Sequence, residues 1–220
     1  MPETVVPIRL GRATAFLIAG TRSILIDCGT PGNEQRIVKR LREAGIAPSD
    51  LALIVVTHVH SDHVGSLPAM KASSAAPVVV HALEADALRS GRSAALVPNS
   101  LLARAAGPLI RLQRLLPGVE PDLLIEGVFE LAGYGVRGVI VPTPGHTPGS
   151  ISVVLEGGAA IIGDLVMGGL FRPGVPHPPM IASDVDQVRA SIEALLDRGV
   201  TRCYPAHGGP FTSDDLRTLL

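Results

Sequence analysis

The sequence predicts a single domain that mixes β-strands with α-helices, and three observations lead to this fold class. Strand-like and helix-like runs follow one another in a loose rhythm in both halves of the chain. Glycine and proline are spread along the whole chain, so no linker divides it. The 220 residues suffice for one medium-sized core. Because 46% of the residues are hydrophobic and 3% are aromatic, we expect an aliphatic core.

The first half of the chain opens with strands and continues with alternating helices and strands. Gly11 and Gly20 separate the opening apolar runs. Ile37 and Leu41 lie on one face of a predicted helix, which Gly45 can cap. The predicted elements are strands at 4–10, 13–19 and 22–27, a helix at 34–44, a strand at 51–56, a short helix at 65–72, a strand at 77–80 and a helix at 83–89.

Residues 92–118 differ in composition from the rest of the chain. They are rich in Leu and Ala, and their helical spacing is broken at Pro98, Pro108 and Pro117. This pattern predicts a helical insertion of one or two short amphipathic helices. We expect the insertion to form a wall or lid of a substrate cleft; the alternative is a dimer interface or an outer-layer helix.

The second half of the chain returns to short strands. Gly157-Gly158 predicts a hairpin turn, and the Gly/Pro-rich stretch 168–181 predicts a loop. Ser183 is the expected cap of a helix that ends at Gly199. The predicted strands are 123–125, 128–131, 136–141, 150–155, 159–163 and 200–204, and a final short helix begins near Thr212.

The stretch 51–63 carries the clearest functional signal. Its first half is an apolar run of strand length that leads into His58, His60, Asp62 and His63. Four such side chains within six residues are too dense for one face of a helix or strand, and they suit a loop at the end of a buried strand. Imidazole nitrogen and carboxylate oxygen are ligands for zinc, and also for iron or manganese. The stretch therefore predicts a metal site.

Three later residues occupy a similar setting, at the end of an apolar strand and close to Gly or Pro. They are His146, Asp164 and His207. An unpaired buried carboxylate is costly, so Asp164 requires a partner, and a metal ion would be a suitable one. His81 also ends a predicted strand, but we expect its role to be structural.

In their order along the chain, these residues resemble the metallo-β-lactamase superfamily. The resemblance covers about residues 13–209 and includes Asp27 after an early strand, the H-x-H-x-D-H motif, a Gly-His turn, a strand-end Asp and a late His. It implies a four-layer αββα sandwich, an α+β fold in which two mixed sheets lie face to face between helices. We expect one domain of this fold over residues 1–220, with the helical insertion at 92–118.

The resemblance also implies the roles of individual residues around two zinc ions per chain, or iron or manganese in their place. Asp164 would bridge the two ions, and Asp27 would orient the His-rich loop from behind the ligands. His177, in the loop that follows Asp164, would be a candidate substrate contact. The first ion would be bound by His58, His60 and His146, and the second by Asp62, His63 and His207.

The function implied by this resemblance is a dinuclear zinc hydrolase. A hydroxide between the ions would attack an acyl carbon, and Asp62 would act as the catalytic residue that returns the proton to the leaving group. Dedicated β-lactamases of the superfamily usually lack a counterpart of Asp164, and the glutathione-binding domain of glyoxalase II has no counterpart here. We therefore expect a small thioester, lactone or related substrate, with weak β-lactam activity. The alternatives are a mononuclear iron sulfur dioxygenase and a non-catalytic metal-binding protein.

Composition and charge narrow the expected partners and location. The net charge of −1 argues against binding to nucleic acid or to an anionic membrane. Cys28 and Cys203 do not suggest a disulfide framework and are expected to be buried thiols. The sequence shows no signal-peptide pattern and no apolar run near the ~20 residues of a membrane span. We expect a cytoplasmic monomer or homodimer whose partner is a small-molecule substrate.

Overall fold

The structure is a computed structural model that describes residues 3–11, 13–93, 116–169 and 172–220. Within these ranges the strands form two six-stranded sheets and one two-stranded sheet. The first sheet contains β1 (Thr4–Arg9), β2 (Thr14–Ala19), β3 (Ser23–Ile26), β4 (Leu51–Val55), β5 (Val78–His81) and β6 (Leu123–Ile125). The second contains β7 (Phe129–Glu130), β8 (Gly138–Pro142), β9 (Ile151–Leu155), β10 (Ala159–Gly163), β13 (Arg202–Pro205) and β14 (Phe211–Thr212), and the small sheet contains β11 (Met167–Gly168) and β12 (Pro176–His177). The helices are α1 (Glu34–Glu43), α2 (Ser61–Val64), α3 (Leu67–Ser74), α4 (Ala85–Ser90), α5 (Val185–Asp197) and α6 (Ser213–Arg217).

Both large sheets are mixed. The first has the order β1-β2-β3-β4-β5-β6, antiparallel from β1 to β3 and parallel from β3 to β6. The second has the order β14-β13-β10-β9-β8-β7, in which β10 and β13 run parallel and the other neighbours run antiparallel. Parallel neighbours end on the same side of a sheet, so the segments that follow them meet at one edge.

Alternating side chains place each sheet between two apolar layers. In β3, Ile24 and Ile26 share a core cluster with Ile140 and Val153 of the second sheet, whereas Leu25 packs with residues of α1 and α3. A third cluster joins the outer face of the second sheet to α5 and α6. The order of layers is helix, sheet, sheet, helix, which confirms the predicted αββα sandwich.

Most predicted elements are present with ends shifted by one or two residues, but two predictions in the second half of the chain were wrong in detail. Helix α5 is capped by Asp184 and not by Ser183. The extended backbone of Asp184 turns its carboxylate towards the first turn, where it accepts hydrogen bonds from the amides of Asp186 (2.9 Å) and Gln187 (3.0 Å). The stretch 168–181, predicted to be a loop throughout, contains strand β12, which pairs with β11.

Of the predicted insertion at 92–118, residues 94–115 lie outside the described residues, so its helices stay a prediction. Its two ends meet beside α4. The amide of Leu116 donates to the carbonyl of Gly91 at 2.9 Å, and the amide of Val119 donates to that of Leu88 at 3.0 Å. The chain therefore leaves and returns at one place. None of the helices in the described ranges has the length and apolar character needed to cross a bilayer.

Candidate metal centre

The predicted metal ligands converge where several strands end. Strand β4 leads into the His-rich segment, β8 leads towards His146, β10 leads directly to Asp164, and β13 leads to His207. Their ligand atoms form groups in which all atoms lie within 4.8 Å of one another. The groups are His58, His60 and His146; His58, His63 and Asp164; and Asp62, His63 and His207. All seven predicted ligands thus lie in one contiguous cluster.

Asp27 directly follows β3 and forms hydrogen bonds with both ends of the His-rich segment, at Thr57 and at His63. It is buried, and its backbone has a left-handed conformation with φ of 59°. Its Oδ1 accepts from the Thr57 amide at 2.9 Å, while Oδ2 accepts from the Thr57 hydroxyl at 2.7 Å and from His63 Nδ1 at 2.8 Å. A left-handed conformation is unfavourable for a residue other than glycine, and these three hydrogen bonds hold Asp27 in it.

Hydrogen bonds at the outer ring nitrogens determine the tautomers of two histidines. Because the Thr57 hydroxyl donates to Asp27, it accepts from Nδ1 of His58 at 3.1 Å. Nδ1 of His146 donates to the carbonyl of Ile181 at 2.7 Å. In both rings the remaining nitrogen, Nε2, therefore carries a lone pair and can bind a metal ion.

The three histidines of the first group direct their nitrogens at one point. His146 Nε2 lies 3.2 Å from His58 Nε2 and 3.0 Å from His60 Nδ1, and the latter two atoms are 3.1 Å apart. Nε2 of His58 and Nε2 of His146 both carry lone pairs, so they do not stabilise each other at this distance. A zinc ion with Zn–N bonds of about 2.0–2.1 Å would place tetrahedral ligands about 3.3 Å apart. The triangle therefore fits a zinc-sized cation.

Asp62, His63 and His207, called the second group from here on, lie beside the first group and include residues of the short helix α2. The segment was expected to be a loop, but Asp62 and His63 lie on this single helical turn, where adjacent side chains diverge. The side chain of His63 is fully buried, whereas that of Asp62 is 29% exposed. His207 Nε2 lies 3.5 Å from Asp62 Oδ2 and 3.4 Å from Asp164 Oδ2.

Asp164 contacts both groups. Its Oδ2 lies 3.7 Å from His146 Nε2 and 3.4 Å from His207 Nε2, and its Oδ1 lies 3.3 Å from His63 Nε2. Oδ1 and His63 Nε2 are close enough for charge attraction, yet among the described residues neither atom has a hydrogen-bond partner. Two buried polar atoms that face each other in this way fit a shared metal ion, because an ion would satisfy both.

The first group is electrically neutral at neutral pH. Burial lowers the pKa of His58 well below its ordinary value, and the nearby His63 and His146 lower it further. Burial and His146 lower the pKa of His60 to about 3, and burial also lowers the pKa of His146. Neutral imidazoles bind metal ions without first losing a proton.

The second group is a cluster of opposite charges. Burial disfavours charge here, but Asp164 outweighs it by raising the pKa of His63 well above its ordinary value and that of His207 to about 10. Although burial acts in the opposite direction, His207 and His63 lower the pKa of Asp62 to about 2 and hold that of Asp164 well below its ordinary value. A metal ion at this group would therefore take the place of protons on His63 and His207.

The two histidines outside the ligand set lie in different environments. His81 is buried and its Nδ1 accepts from the Leu83 amide at 3.2 Å, a contact that supports the predicted structural role. His177 is exposed on β12, opposite Met167. This hairpin lies beside the ligands because the Gly168 amide donates to the carbonyl of His207 at 2.7 Å. The contact between His177 and substrate stays a prediction.

Two buried side chains near the ligands were not predicted from the sequence. Thr57 links Asp27 to His58, and its place directly before the first His of the motif was an available signal. Glu84 accepts from the Val59 amide at 2.8 Å, and no sequence signal separates it from an ordinary glutamate at the start of a helix. Cys28 and Cys203 are buried free thiols, as predicted.

Comparisons with known proteins agree with this fold and identify its family. The family model described as the metallo-beta-lactamase superfamily matches residues 8–207. A probable metallo-hydrolase from Methanocaldococcus jannaschii is 32% identical over 200 residues, which cover 89% of this chain and 87% of the relative. An acyl-coenzyme A thioesterase from Gallus gallus is 31% identical over an alignment of 223 residues, which covers 94% of this chain and 76% of the relative. The solved structure of the BLEG-1 B3 metallo-beta-lactamase matches with a TM-score of 0.72 at 22% identity, covering 96% of this chain and 95% of that one.

Proposed function

The chain belongs to the metallo-β-lactamase superfamily and is a metal-dependent hydrolase, and we propose that it uses two zinc ions to cleave a small thioester, lactone or related acyl substrate. One observation carries the proposal of two ions. The triangle of imidazole nitrogens and the charged second group lie side by side, and the two oxygens of Asp164 lie within 3.3–3.7 Å of ligand atoms in both. A carboxylate in this position suits a bridge between two cations.

The residues of the site have separate tasks in this proposal. When bound, the ions would acidify a water molecule and polarise the acyl carbonyl group. Asp27 and Thr57 hold His63 and His58 in the tautomers that leave Nε2 available. Asp62 accepts the proton of the attacking water and returns it to the leaving group, a task that its partial exposure supports.

Exposed apolar side chains beside the ligand loops support an acyl substrate. Leu83 is 67% exposed and stands next to Glu84, which binds the backbone of the His-rich segment. Met180 is 57% exposed and stands next to Ile181, whose carbonyl accepts from His146. We propose that these two side chains form a rim of the metal centre, where they would suit an apolar acyl group. The thioesterase named among the relatives supports a thioester in particular. Phe171, another apolar residue of the stretch 168–181 to which Met180 belongs, lies outside the described residues.

The test combines metal analysis with a substrate panel. Protein purified without added metal is analysed for zinc, iron and manganese, and is then assayed on acyl-coenzyme A thioesters, lactones, aryl esters and phosphodiesters. We expect about two zinc ions per chain and turnover of one acyl class, lost on chelation and restored by zinc. Turnover of phosphodiesters alone would overturn the acyl substrate. One iron per chain, with oxygen uptake on a sulfur substrate, would replace the hydrolase by the dioxygenase.

Further expectations about the whole protein belong to the same proposal. The partner is a small molecule, the chain acts as a monomer or homodimer, and it works in the cytoplasm. Light scattering of the purified protein measures the oligomeric state, and fractionation of the source cells measures the location.

A further inference from the structure

A buried glutamate lies next to the metal centre without belonging to the ligand set. Glu84 ends the 3-10 turn Ala82–Glu84 that follows β5, and it is 2% exposed. Among the described residues, no cationic side chain forms an ion pair with it. A carboxylate buried without a cation is costly, so its presence calls for a reason other than general stability.

The first contact of Glu84 is with the His-rich segment. Its Oε2 accepts a hydrogen bond of 2.8 Å from the backbone amide of Val59. Val59 lies between His58 and His60, so the carboxylate holds the peptide that joins two ligands of the first group. A hydrogen bond to an ionised acceptor is stronger than one between neutral groups.

The second contact of Glu84 is with the segment that carries His146. A Cβ atom on Gly149 would lie 2.6 Å from Cγ of Glu84 and 3.1 Å from its Oε1. The backbone of Gly149 is not left-handed, so glycine is required there for space and not for conformation. One side chain thus touches both segments that supply the first group of ligands.

We propose that Glu84 is a positioning residue for the first metal site. By hydrogen bonding to one ligand segment and packing against the other, it sets the separation at which the three imidazole nitrogens of the first group converge. The second group takes His207 from another segment, and takes Asp62 and His63 from α2, beyond the peptide that Glu84 holds, so it depends on this contact less directly. The inference rests on the proposed metal centre and is independent of the substrate class.

The test separates the two sites before Glu84 is changed. In a His207→Ala background, which weakens the second site, zinc affinity is measured by competition with a chelator. We expect Glu84→Ala to weaken zinc binding by about 10–100-fold there, as is typical when a group behind a metal ligand is lost. In a His146→Ala background, which weakens the first site, we expect less than about a threefold change.

Conservative and reciprocal variants distinguish positioning from general stability. Glu84→Gln keeps the size and one acceptor oxygen, so it restores most of the affinity. Gly149→Ala pushes the same carboxylate from the other side and weakens the first site alone. If both act through one contact, the double variant of Glu84→Ala with Gly149→Ala is no weaker than Glu84→Ala.

Matched controls and an independent readout complete the experiment. Glu126→Ala changes an exposed glutamate, and Gly127→Ala adds a methyl group where nothing lies within 4 Å. The absorption bands of cobalt bound in place of zinc report the ligand geometry of the first site without any substrate. Unchanged affinity and bands in Glu84→Ala and Gly149→Ala would overturn the inference, as would equal weakening of both sites. If the unaltered protein bound no metal, the metal centre itself would be wrong.

Discussion

Replacing Asp27 by Asn tests how the buried network behind the ligands supports the metal centre. Asp27 accepts three hydrogen bonds, two from Thr57 and one from His63 Nδ1. Asn has nearly the same size and tolerates the left-handed conformation that Asp27 adopts. Its amide group, however, offers one acceptor oxygen in place of two. Whichever way the amide turns, a donor will face a donor.

The expected cost follows from the burial of these groups. Asp27 is 3% exposed, Thr57 1% and His63 0%, so water cannot readily replace a lost partner. One unsatisfied buried donor costs about 1–3 kcal/mol in the free energy of unfolding. In a chain of this size each kcal/mol corresponds to about 2–4 °C, so the melting temperature should fall by about 2–12 °C. Because His63 loses its fixed tautomer, zinc affinity of the second site should fall by about 10–100-fold.

Thermal unfolding of metal-free protein and chelator competition measure the two effects separately. Asp50→Asn is the matched control, since the exposed carboxylate of Asp50 also accepts a backbone hydrogen bond, from Ala47 at 2.9 Å. We expect the control to change stability by less than about 0.5 kcal/mol. An Asp27→Asn protein with the melting temperature and the second-site affinity of the unaltered chain would refute the reasoning.

Three further predictions concern the ligands and the rim. Asp164→Ala should abolish hydrolysis and lower the metal content while circular dichroism shows the fold intact; full activity at unchanged metal stoichiometry would exclude a bridge. In metal-free protein, despite burial, Asp164 raises the pKa of His207 from 6.5 to about 10 and also raises that of His63. The stabilisation of the folded protein by these two charged imidazoles is therefore complete below pH 6.5, and it is lost as the pH rises through the raised pKa values. Binding of the second ion should release protons near pH 7 and strengthen towards high pH, and calorimetry in buffers of different ionisation enthalpy measures this; proton release at the first site instead would contradict the assignment. Leu83→Ala and Met180→Ala should shift acyl-chain preference with little change in metal content, and an unchanged preference would remove the rim from the substrate site.

Much of the fold, and the residues that the structure brings together at the candidate metal centre, could be predicted from short stretches of sequence. The apolar runs of β3 and β4 are buried on both faces, so each reads as a strand regardless of what lies opposite. The His-rich segment could be identified because its candidate ligands lie within six residues of one another in the chain. His146, Asp164 and His207 could be identified since each follows a strand, and family resemblance placed them in one site. These features depend on neighbours along the chain, which a sequence displays directly.

Other features depended on contacts between distant segments. Asp184 caps α5 in place of Ser183 because of the backbone angles at that residue, although both types are good caps. Glu84 resembles any glutamate at a helix start until β5 brings it against Val59 and Gly149. The tautomers of His58 and His146 follow from bonds to Thr57 and Ile181. The local pattern predicts which residues are buried and where strands and helices begin and end. The partner of a buried polar group, in contrast, is decided by packing between segments that are far apart in the chain.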